Sequence, residues 1–178
     1  MTRKLFFKTV ILSVFISVLV GCDKNDVTTP KENSSDIVGE WLMEALTYTG
    51  TSTLSVLGEE YITDFVGKSI DSDLVVDYRE NNDIYTEGSY NIELSSTFLG
   101  VTTTQSTGGL IKDGLAGTWE IKGDSLITTT TLGETSSSYI EILTENTLKL
   151  VATDQRTETI EGYKTAIYTK YVIEYTKK

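Results

Sequence analysis

The sequence predicts an all-β protein, an antiparallel up-and-down β-barrel of about eight to ten strands with one short helix after the first strands. Three observations predict it. Apolar and polar residues alternate through most of residues 37–178, which is the period of a half-buried strand. Short polar turns separate these segments, as in a meander that closes on itself. Helical periodicity occurs once.

The first half of this region contains a strand and then a hairpin. The first strand begins near Trp41, where Trp41, Met43 and Ala45 alternate with Glu40 and Glu44. In the hairpin, Leu74, Val76 and Tyr78 precede the turn "ENND" at 80–83. The next strand is predicted to run unbroken, with the inward set Ile84, Thr86, Gly88, Tyr90, Ile92 and Leu94.

The second half repeats the pattern of strands and tight turns. Trp119 and Ile121 lead into a Gly-Asp turn at 122–125, followed by "LITTTTL". The turn "TENT" at 144–147 places "SYIEIL" against "LKLVA", and the last strand is predicted at 165–176.

The exception is "EEYITDFVG", residues 59–67. Tyr61, Ile62, Phe65 and Val66 fall on one helical face, and Gly67 is a typical helix stop. About two turns of helix cannot stand alone, so the apolar face must rest on the sheet. We expect it to plug one end of the barrel, and a lid over a cavity is the alternative.

The amino end has the pattern of an export signal. Three basic residues, Arg3, Lys4 and Lys8, precede an apolar run over residues 10–20. A membrane-spanning helix is the alternative, but it needs about 20 apolar residues and this run is shorter.

Leu19-Val20-Gly21-Cys22 resembles the lipobox of bacterial lipoproteins, in which the chain is cut before the cysteine and the thiol carries a lipid. The resemblance implies a signal peptide over residues 1–21 and a membrane anchor at Cys22. Residues 22–36 are polar and contain Pro30, which is typical of a flexible tether to a barrel domain at 37–178. The acidic start of the tether resembles signals that direct lipoproteins outward. We therefore expect an outer-membrane lipoprotein of a Gram-negative bacterium, facing the periplasm or exposed on the cell surface.

Charge and composition restrict the function. The chain has 15 basic and 26 acidic residues, and without the three basic residues of the signal the formal net charge is −14. This charge disfavours binding to nucleic acid. The chain has no histidine and one cysteine, which excludes histidine-based catalytic triads, histidine-ligated metals and an internal disulfide. We expect no cofactor.

Glycine precedes a large aromatic residue by two positions at three places: Gly39 and Trp41, Gly88 and Tyr90, Gly117 and Trp119. Here the sequence resembles the calycins, most closely the lipocalin-like domains of bacterial lipoproteins, in which Gly-x-Trp opens the first barrel strand. The resemblance spans about residues 37–176 and implies a binding barrel. The arginine and tyrosine that clamp a carboxylate in fatty-acid-binding proteins are matched at best by Lys170 and Tyr171, which should face opposite ways, so fatty-acid binding is not implied.

Three functions follow as hypotheses. The first is a membrane-tethered, non-enzymatic binding protein for a small apolar or amphipathic ligand. The second is a barrel that binds a basic protein through its acidic surface, as an inhibitor or accessory subunit. The third is a carboxylate-dependent glycan hydrolase. Asp71-Ser72-Asp73 could also contribute to a calcium site. The ordinary explanation for these acids is that they are solvated residues of loops. The acids available to the hydrolase are Glu59, Glu60, Asp64, Asp71 and Asp73. The predicted ligand-binding residues of the first hypothesis are Trp41, Tyr78, Tyr90, Trp119 and Tyr171.

Overall fold

The computed structural model describes residues 34–109, 115–160 and 162–178. These ranges contain one helical turn, α1, and eleven strands. The elements are α1 (Ser34–Ile37), β1 (Gly39–Val56), β2 (Glu59–Ile70), β3 (Val75–Tyr78), β4 (Asp83–Glu87), β5 (Tyr90–Phe98), β6 (Val101–Gly109), β7 (Ala116–Lys122), β8 (Ser125–Thr130), β9 (Thr135–Leu143), β10 (Thr147–Ile160) and β11 (Tyr163–Lys177).

Eight antiparallel strands close into a barrel. Their order around the ring is β1, β3, β4, β7, β8, β9, β10 and β11, and β11 pairs back onto β1. The start of β1, Gly39–Leu42, pairs with β3 on one side, while Trp41 to Leu54 pair with β11 on the other. The predicted all-β antiparallel barrel is therefore confirmed.

The same sheet extends beyond one end of this barrel because β1, β10 and β11 are longer than the barrel needs. The outer half of β1, Thr47–Val56, pairs with β2 instead of β3. The sheet continues through β5 to β6, and β11 and the outer part of β10 join on the opposite side. We call this six-stranded extension, formed by β2, β5, β6 and the outer halves of β1, β10 and β11, the distal sheet.

The helix predicted at 59–67 is wrong, because these residues form most of β2. Every residue from Glu59 to Lys68 pairs with the outer half of β1. On a strand, Phe65 points to the inner face, while Ile62 and Val66 lie on the outer face and are exposed. The helical spacing of the apolar residues was coincidental, and a pairing partner for the whole segment favoured the strand.

The strand predicted to run unbroken from Ile84 to Leu94 is also wrong, since it is two strands separated at Gly88. Gly88 has a φ of +99°, and a Cβ there would lie 2.4 Å from the carbonyl oxygen of Asp73. The chain therefore turns out of the barrel at a point where only glycine fits. Ile84 and Ile92 are nevertheless buried, as the alternation predicted.

The predicted turns at 80–83, 122–125 and 144–147 are confirmed. Two further hairpins have Leu-Gly turns at the end of the distal sheet. Leu57 and Gly58 join β1 to β2 with φ values of 53° and 90°, and Leu99 and Gly100 join β5 to β6 with 49° and 77°. Two successive positive φ values are typical of the type I′ turn, whose twist matches the flanking strands.

The hydrophobic core fills the barrel, and α1 covers one end of it. Ile37 is fully buried and accepts a hydrogen bond from the Trp41 indole, so that the first residue of the predicted domain closes the core. The buried cluster is Ile37, Trp41, Met43, Leu74, Val76, Tyr78, Ile84, Trp119, Leu126, Leu148, Leu150 and Tyr175.

The predicted signal peptide, Cys22 and residues 22–33 of the predicted tether lie outside the described residues. The helical turn at Ser34–Ile37 begins within the last three residues of that tether. Within the described ranges, no helix has the length and hydropathy that crossing a membrane requires.

Candidate ligand-binding trough

Three of the five predicted ligand-binding residues lie in the packed core. Trp41, Tyr78 and Trp119 are 0%, 2% and 4% exposed. The indole nitrogens of Trp41 and Trp119 donate to the carbonyl oxygens of Ile37, at 2.7 Å, and Arg79, at 3.1 Å. Tyr78 packs edge-on against Trp119, with ring centroids 5.9 Å apart. All three side chains belong to the buried core cluster.

The other two, Tyr90 and Tyr171, are half-buried where the barrel meets the distal sheet. Tyr90 packs against the core cluster, and the ring of Tyr171 lies 5.9 Å from that of Tyr48. Burial raises the pKa of Tyr48, Tyr90 and Tyr171 above the ordinary tyrosine value, so all three hydroxyls are neutral at physiological pH. The structure therefore separates the predicted set into three core residues and two at the junction, and their contact with a ligand stays a prediction.

A concave space of about 670 Å³ lies on the inner face of the distal sheet, beyond this junction. We call it the trough. It has the size of an ordinary small-molecule pocket. Among the described residues, its lining combines aliphatic, aromatic and hydroxyl side chains without a charged one: Ser52, Leu54, Val56, Tyr61, Thr63, Phe98, Ile160 and Thr165.

The strand register explains why these side chains converge. Residues that are partners on neighbouring strands point to the same face, and Leu54 is the partner of Tyr61 on β2 and of Thr165 on β11. Thr63 is in turn the partner of Phe98 on β5. Tyr61 and Phe98 stand side by side, with ring centroids 6.4 Å apart, and form an aromatic wall of the trough.

The rings of Tyr48 and Phe65 lie between the trough and the barrel core, and a glycine leaves room for the Tyr48 ring. Gly67 is the partner of Tyr48, and a Cβ at Gly67 would lie 2.0 Å from the Tyr48 ring. The ring therefore lies flat across the strand at this position. Tyr48 also contacts Phe65, at a centroid distance of 6.2 Å. These rings separate the packed core from the open space beyond.

A charged cluster lies on β10 beside the trough. Arg156 pairs with Asp154 and with Glu158, the latter at 2.6 Å, and all three side chains are partly buried. Burial lowers the pKa of Arg156, but the hydrogen bonds from both carboxylates outweigh it, and the net shift is upward. The cluster carries one positive and two negative charges, so it has no free cation to offer an anionic ligand.

Thr165 is the most buried residue of the trough, at 3% exposure. Its Oγ1 atom has no hydrogen-bond partner among the described residues. Glu158 is its register partner on β10, but the Glu158 carboxylate is engaged by Arg156. A buried hydroxyl without a partner is uncommon, because leaving it unpaired costs free energy.

Among the acids proposed for hydrolysis or calcium binding, Asp73 has hydrogen-bond partners within the chain. Asp73 accepts hydrogen bonds from the backbone N–H and the hydroxyl of Ser89, and these bonds lower the pKa of Asp73. Its role is to fix the chain crossing beside Gly88. Glu59 and Glu60 are adjacent on β2 and point to opposite faces. The described part of the chain holds no group of three or more carboxylate, cysteine or histidine side chains placed to hold a metal.

Sequence reasoning missed the trough. The alternation of Ser52, Leu54 and Val56 with Thr53 and Ser55 was a usable signal for a long outer half of β1. Gly58, next to two adjacent acids, was the corresponding signal for a hairpin rather than a helix start. The pairing of β10 with β11, which brings Ile160 and Thr165 to the trough, depends on long-range contacts that no local pattern encodes.

Comparisons with known proteins identify a matching family. A comparison with curated proteins finds no match. A solved structure, of a DUF1329 family protein from Desulfovibrio piger ATCC 29098, matches with 12% sequence identity over 75% of this chain and 84% of that chain, at a TM-score of 0.19. The lipocalin-like domain family matches residues 37–150, which include β1 to β9 and the start of β10. The chain therefore belongs to the lipocalin-like domain family.

Proposed function

We propose that this protein is a tethered binding protein of the bacterial envelope that holds a small apolar or amphipathic molecule in the trough. The trough supports the proposal, because it has a volume of about 670 Å³ outside the packed core and its described lining residues are uncharged and largely apolar. Exposed apolar side chains at the two Leu-Gly turns, Leu57 and Leu99, lie next to the trough residues Val56 and Phe98. They give an apolar ligand a path from solvent to the trough.

The binding test uses two lysine substitutions on neighbouring residues of β1. Leu54→Lys places a charge in the trough, whereas Ser55→Lys places the same charge on the opposite, exposed face. Nile red, a neutral apolar fluorophore, reports occupancy. We expect Leu54→Lys to weaken Nile red binding by more than about tenfold, since burying a charge in an apolar site is costly, and Ser55→Lys to leave it unchanged. Equal binding by both variants and the unmodified protein would place the probe elsewhere.

The natural ligand is to be identified with the protein purified from its own host. Native mass spectrometry should show an added mass of a small molecule on the unmodified protein, and Leu54→Lys should lack it. If the protein carries no added mass under conditions in which it retains Nile red, it does not bind a ligand in the trough in its host.

Anchoring through Cys22 is the second part of the proposal. The lipobox-like Leu19-Val20-Gly21-Cys22 supports it, as does the polar stretch that follows. A diacylated and further acylated cysteine gives stable membrane attachment, where one chain does not. Cys22→Ser should abolish labelling by an alkyne-bearing palmitate and should move the protein from the outer-membrane fraction to the soluble fraction. Unchanged labelling would exclude this anchor.

Binding to another protein is the second candidate function, and β6 favours it. This strand pairs with β5 and ends the sheet. Residues Val101–Ser106 are exposed and uncharged, so a partner protein can add a strand to this edge. The acidic excess of the chain favours a basic partner. Backbone N–H groups alternate in direction along a strand. Of the two variants Thr103→Pro and Thr104→Pro, one therefore removes an N–H group that points away from β5. That variant should no longer capture from envelope extracts a partner that the unmodified protein captures.

A further inference from the structure

The distal sheet has two edges that no strand of the described chain covers. One is β6, which pairs with β5 alone. The other is the outer half of β10, Ala152–Ile160, which pairs with β11 but not with β9, because β9 meets β10 only at Leu148–Val151. The trough lies between these two edges, which do not pair with each other within one chain. An uncovered edge is a place where a further strand can be added.

The strand β6 lacks the features that normally protect an edge strand. It pairs with β5 along nine residues without a register shift, and neither proline nor a charged residue occurs between Glu93 and Lys112. Residues Val101–Ser106 are exposed on both faces of the sheet. A second copy of this acidic chain therefore meets no like charge along β6 itself.

The N–H groups of β6 that point away from β5 can be assigned from its hairpin. Phe98 and Val101 flank a two-residue turn, which makes them a hydrogen-bonded pair. The N–H groups of Thr102 and Thr104 therefore point away from β5. The Thr104 hydroxyl lies 2.8 Å from that of Ser95, as expected for the closer side chains of a pair without backbone hydrogen bonds.

The free half of β10 presents its edge in the same way. Ile160 and Tyr163 are the partners next to the turn between β10 and β11. Counted from this pair, the N–H groups of Thr157 and Thr159 point away from β11. Both edges therefore expose a row of backbone donors and acceptors, and the residues that carry them are threonines of the outer face.

The two edges match when Val101 is placed opposite Ile160 of a second copy, with the strands antiparallel. On the trough face, an apolar residue then meets an apolar one, and neutral polar side chains meet the charged cluster of β10. On the outer face, threonine meets threonine, a pair that stabilises sheets. The pairs are Val101 with Ile160, Thr102 with Thr159, Thr103 with Glu158, Thr104 with Thr157, Gln105 with Arg156, and Ser106 with Gln155. No like charges face each other, and the outward backbone groups of the two edges meet.

We infer that the protein forms a homodimer in which β6 of each copy pairs with the outer half of β10 of the other. A two-fold axis parallel to the strands generates both seams and leaves neither edge open. Neighbouring strands of the distal sheet are antiparallel, and this axis makes the new pairs antiparallel as well. The two distal sheets then surround one interior, so each open trough gains the other as its opposite wall.

The first test is the mass in solution of the mature chain, residues 22–178, with Cys22→Ser to keep it free of lipid. Sedimentation equilibrium should give twice the chain mass at micromolar concentration. Thr104→Pro and Thr157→Pro each remove one outward N–H, which an edge strand tolerates, and each should weaken dimerisation by more than about tenfold. Thr104→Ala keeps the N–H and should weaken it by less than about threefold. Unmodified protein that stays monomeric at every concentration would overturn the inference.

Cysteine cross-linking tests which edges meet. The Cys22→Ser chain has no cysteine, so single cysteines can be placed at Thr104 and Thr157. A mixture of Thr104→Cys and Thr157→Cys chains should give a covalent dimer with a short bismaleimide, because opposed Cβ atoms lie about 5 Å apart. Neither variant alone should be cross-linked, since its two copies of the cysteine lie on different seams.

Two cross-linking results contradict this dimer. A covalent dimer of Thr104→Cys alone means that two β6 edges meet. Cross-links that form only within a single chain carrying both cysteines mean that the distal sheet closes on itself. These results do not depend on the proline variants, so the inference stays testable if those fail to fold.

Salt separates a second copy from the basic partner considered for the same edge. Two chains of net charge −14 repel each other, and salt screens that repulsion. Dimerisation should therefore strengthen as the salt concentration is raised, whereas binding of a basic protein should weaken. If Thr104→Pro remains dimeric but no longer captures a basic protein, the edge belongs to that partner and the inference is wrong.

The outcomes also separate the dimer from the proposed function. A monomer that binds Nile red, with binding lost in Leu54→Lys, contradicts the dimer and leaves the trough as a binding site. A dimer with the predicted cross-links that does not bind Nile red supports the dimer and contradicts the proposed function.

Discussion

Trp41 gives the sharpest test of the division between a packed barrel and a binding trough. Its side chain is fully buried, and its indole nitrogen donates to the carbonyl oxygen of Ile37 at 2.7 Å. Trp41→Phe removes the donor and leaves a void. A buried carbonyl that loses its donor costs about 1–3 kcal/mol, and a residual void of methyl size or more costs about 1 kcal/mol. We expect a loss of about 3 kcal/mol in the free energy of unfolding.

Urea unfolding measures this loss, with fluorescence of the remaining Trp119 as the signal. With a denaturant slope of about 2 kcal/mol per molar, the midpoint should fall by about 1.5 M. The matched control is Ile62→Val, on the exposed outer face of β2, which should shift it by less than about 0.3 M. Nile red binding by folded Trp41→Phe should equal that of the unmodified protein. A midpoint close to that of the unmodified protein, or a loss of dye binding without a loss of stability, would return Trp41 to the ligand site and refute the reasoning.

Three further predictions concern stability. Gly67→Ala forces a Cβ to 2.0 Å from the Tyr48 ring and should lower the free energy of unfolding by about 1–3 kcal/mol. This loss should be smaller in a Tyr48→Ser background. An equal loss in both backgrounds would contradict the ring contact. Leu57→Asn should raise stability by about 1 kcal/mol, because Leu57 is fully exposed at a φ of 53° that asparagine tolerates better; a lower urea midpoint would argue against the type I′ turn. Burial raises the pKa of Tyr78 and Tyr175 above 10. Above about pH 10, the unfolded chain therefore loses protons that the folded chain keeps. The free energy of unfolding should fall by about 1.4 kcal/mol per pH unit for each tyrosine. Tyr78→Phe should reduce that slope by one such increment, and a flat profile to pH 11 would contradict the burial.

Local patterns predicted the barrel well because its strands obey local rules. The alternation around Trp41 and Trp119, and the turns at 80–83, 122–125 and 144–147, required no knowledge of partners. The tryptophans were correctly placed inside the barrel. Whether an inward aromatic residue packs or binds depends on what fills the rest of the interior, and Ile37 and Leu148, both fully buried, belong to the same core cluster as the tryptophans.

The distal sheet could not be predicted in the same way. The apolar residues of 59–67 follow a helical spacing and not a strand alternation, since Ile62 and Val66 lie on the opposite strand face to Phe65. Pairing with the long strand β1 decides for the strand. The break at Gly88 depends on the close approach of Asp73, fifteen positions earlier in the chain. The trough itself combines β1, β2 and β5 with Ile160 and Thr165, which meet only because β10 and β11 pair along their whole length.

The most direct test of ligand binding in the distal sheet is methyl NMR during titration with decan-1-ol. Methyl groups of Leu54, Val56, Ile160 and Thr165 report the trough, and those of Leu126 and Leu148 report the barrel core. We predict saturable shifts at the trough methyl groups, and no shifts at Leu126 and Leu148. Shifts confined to the barrel core, with the trough methyl groups unchanged, would contradict binding in the distal sheet and place the ligand inside the barrel.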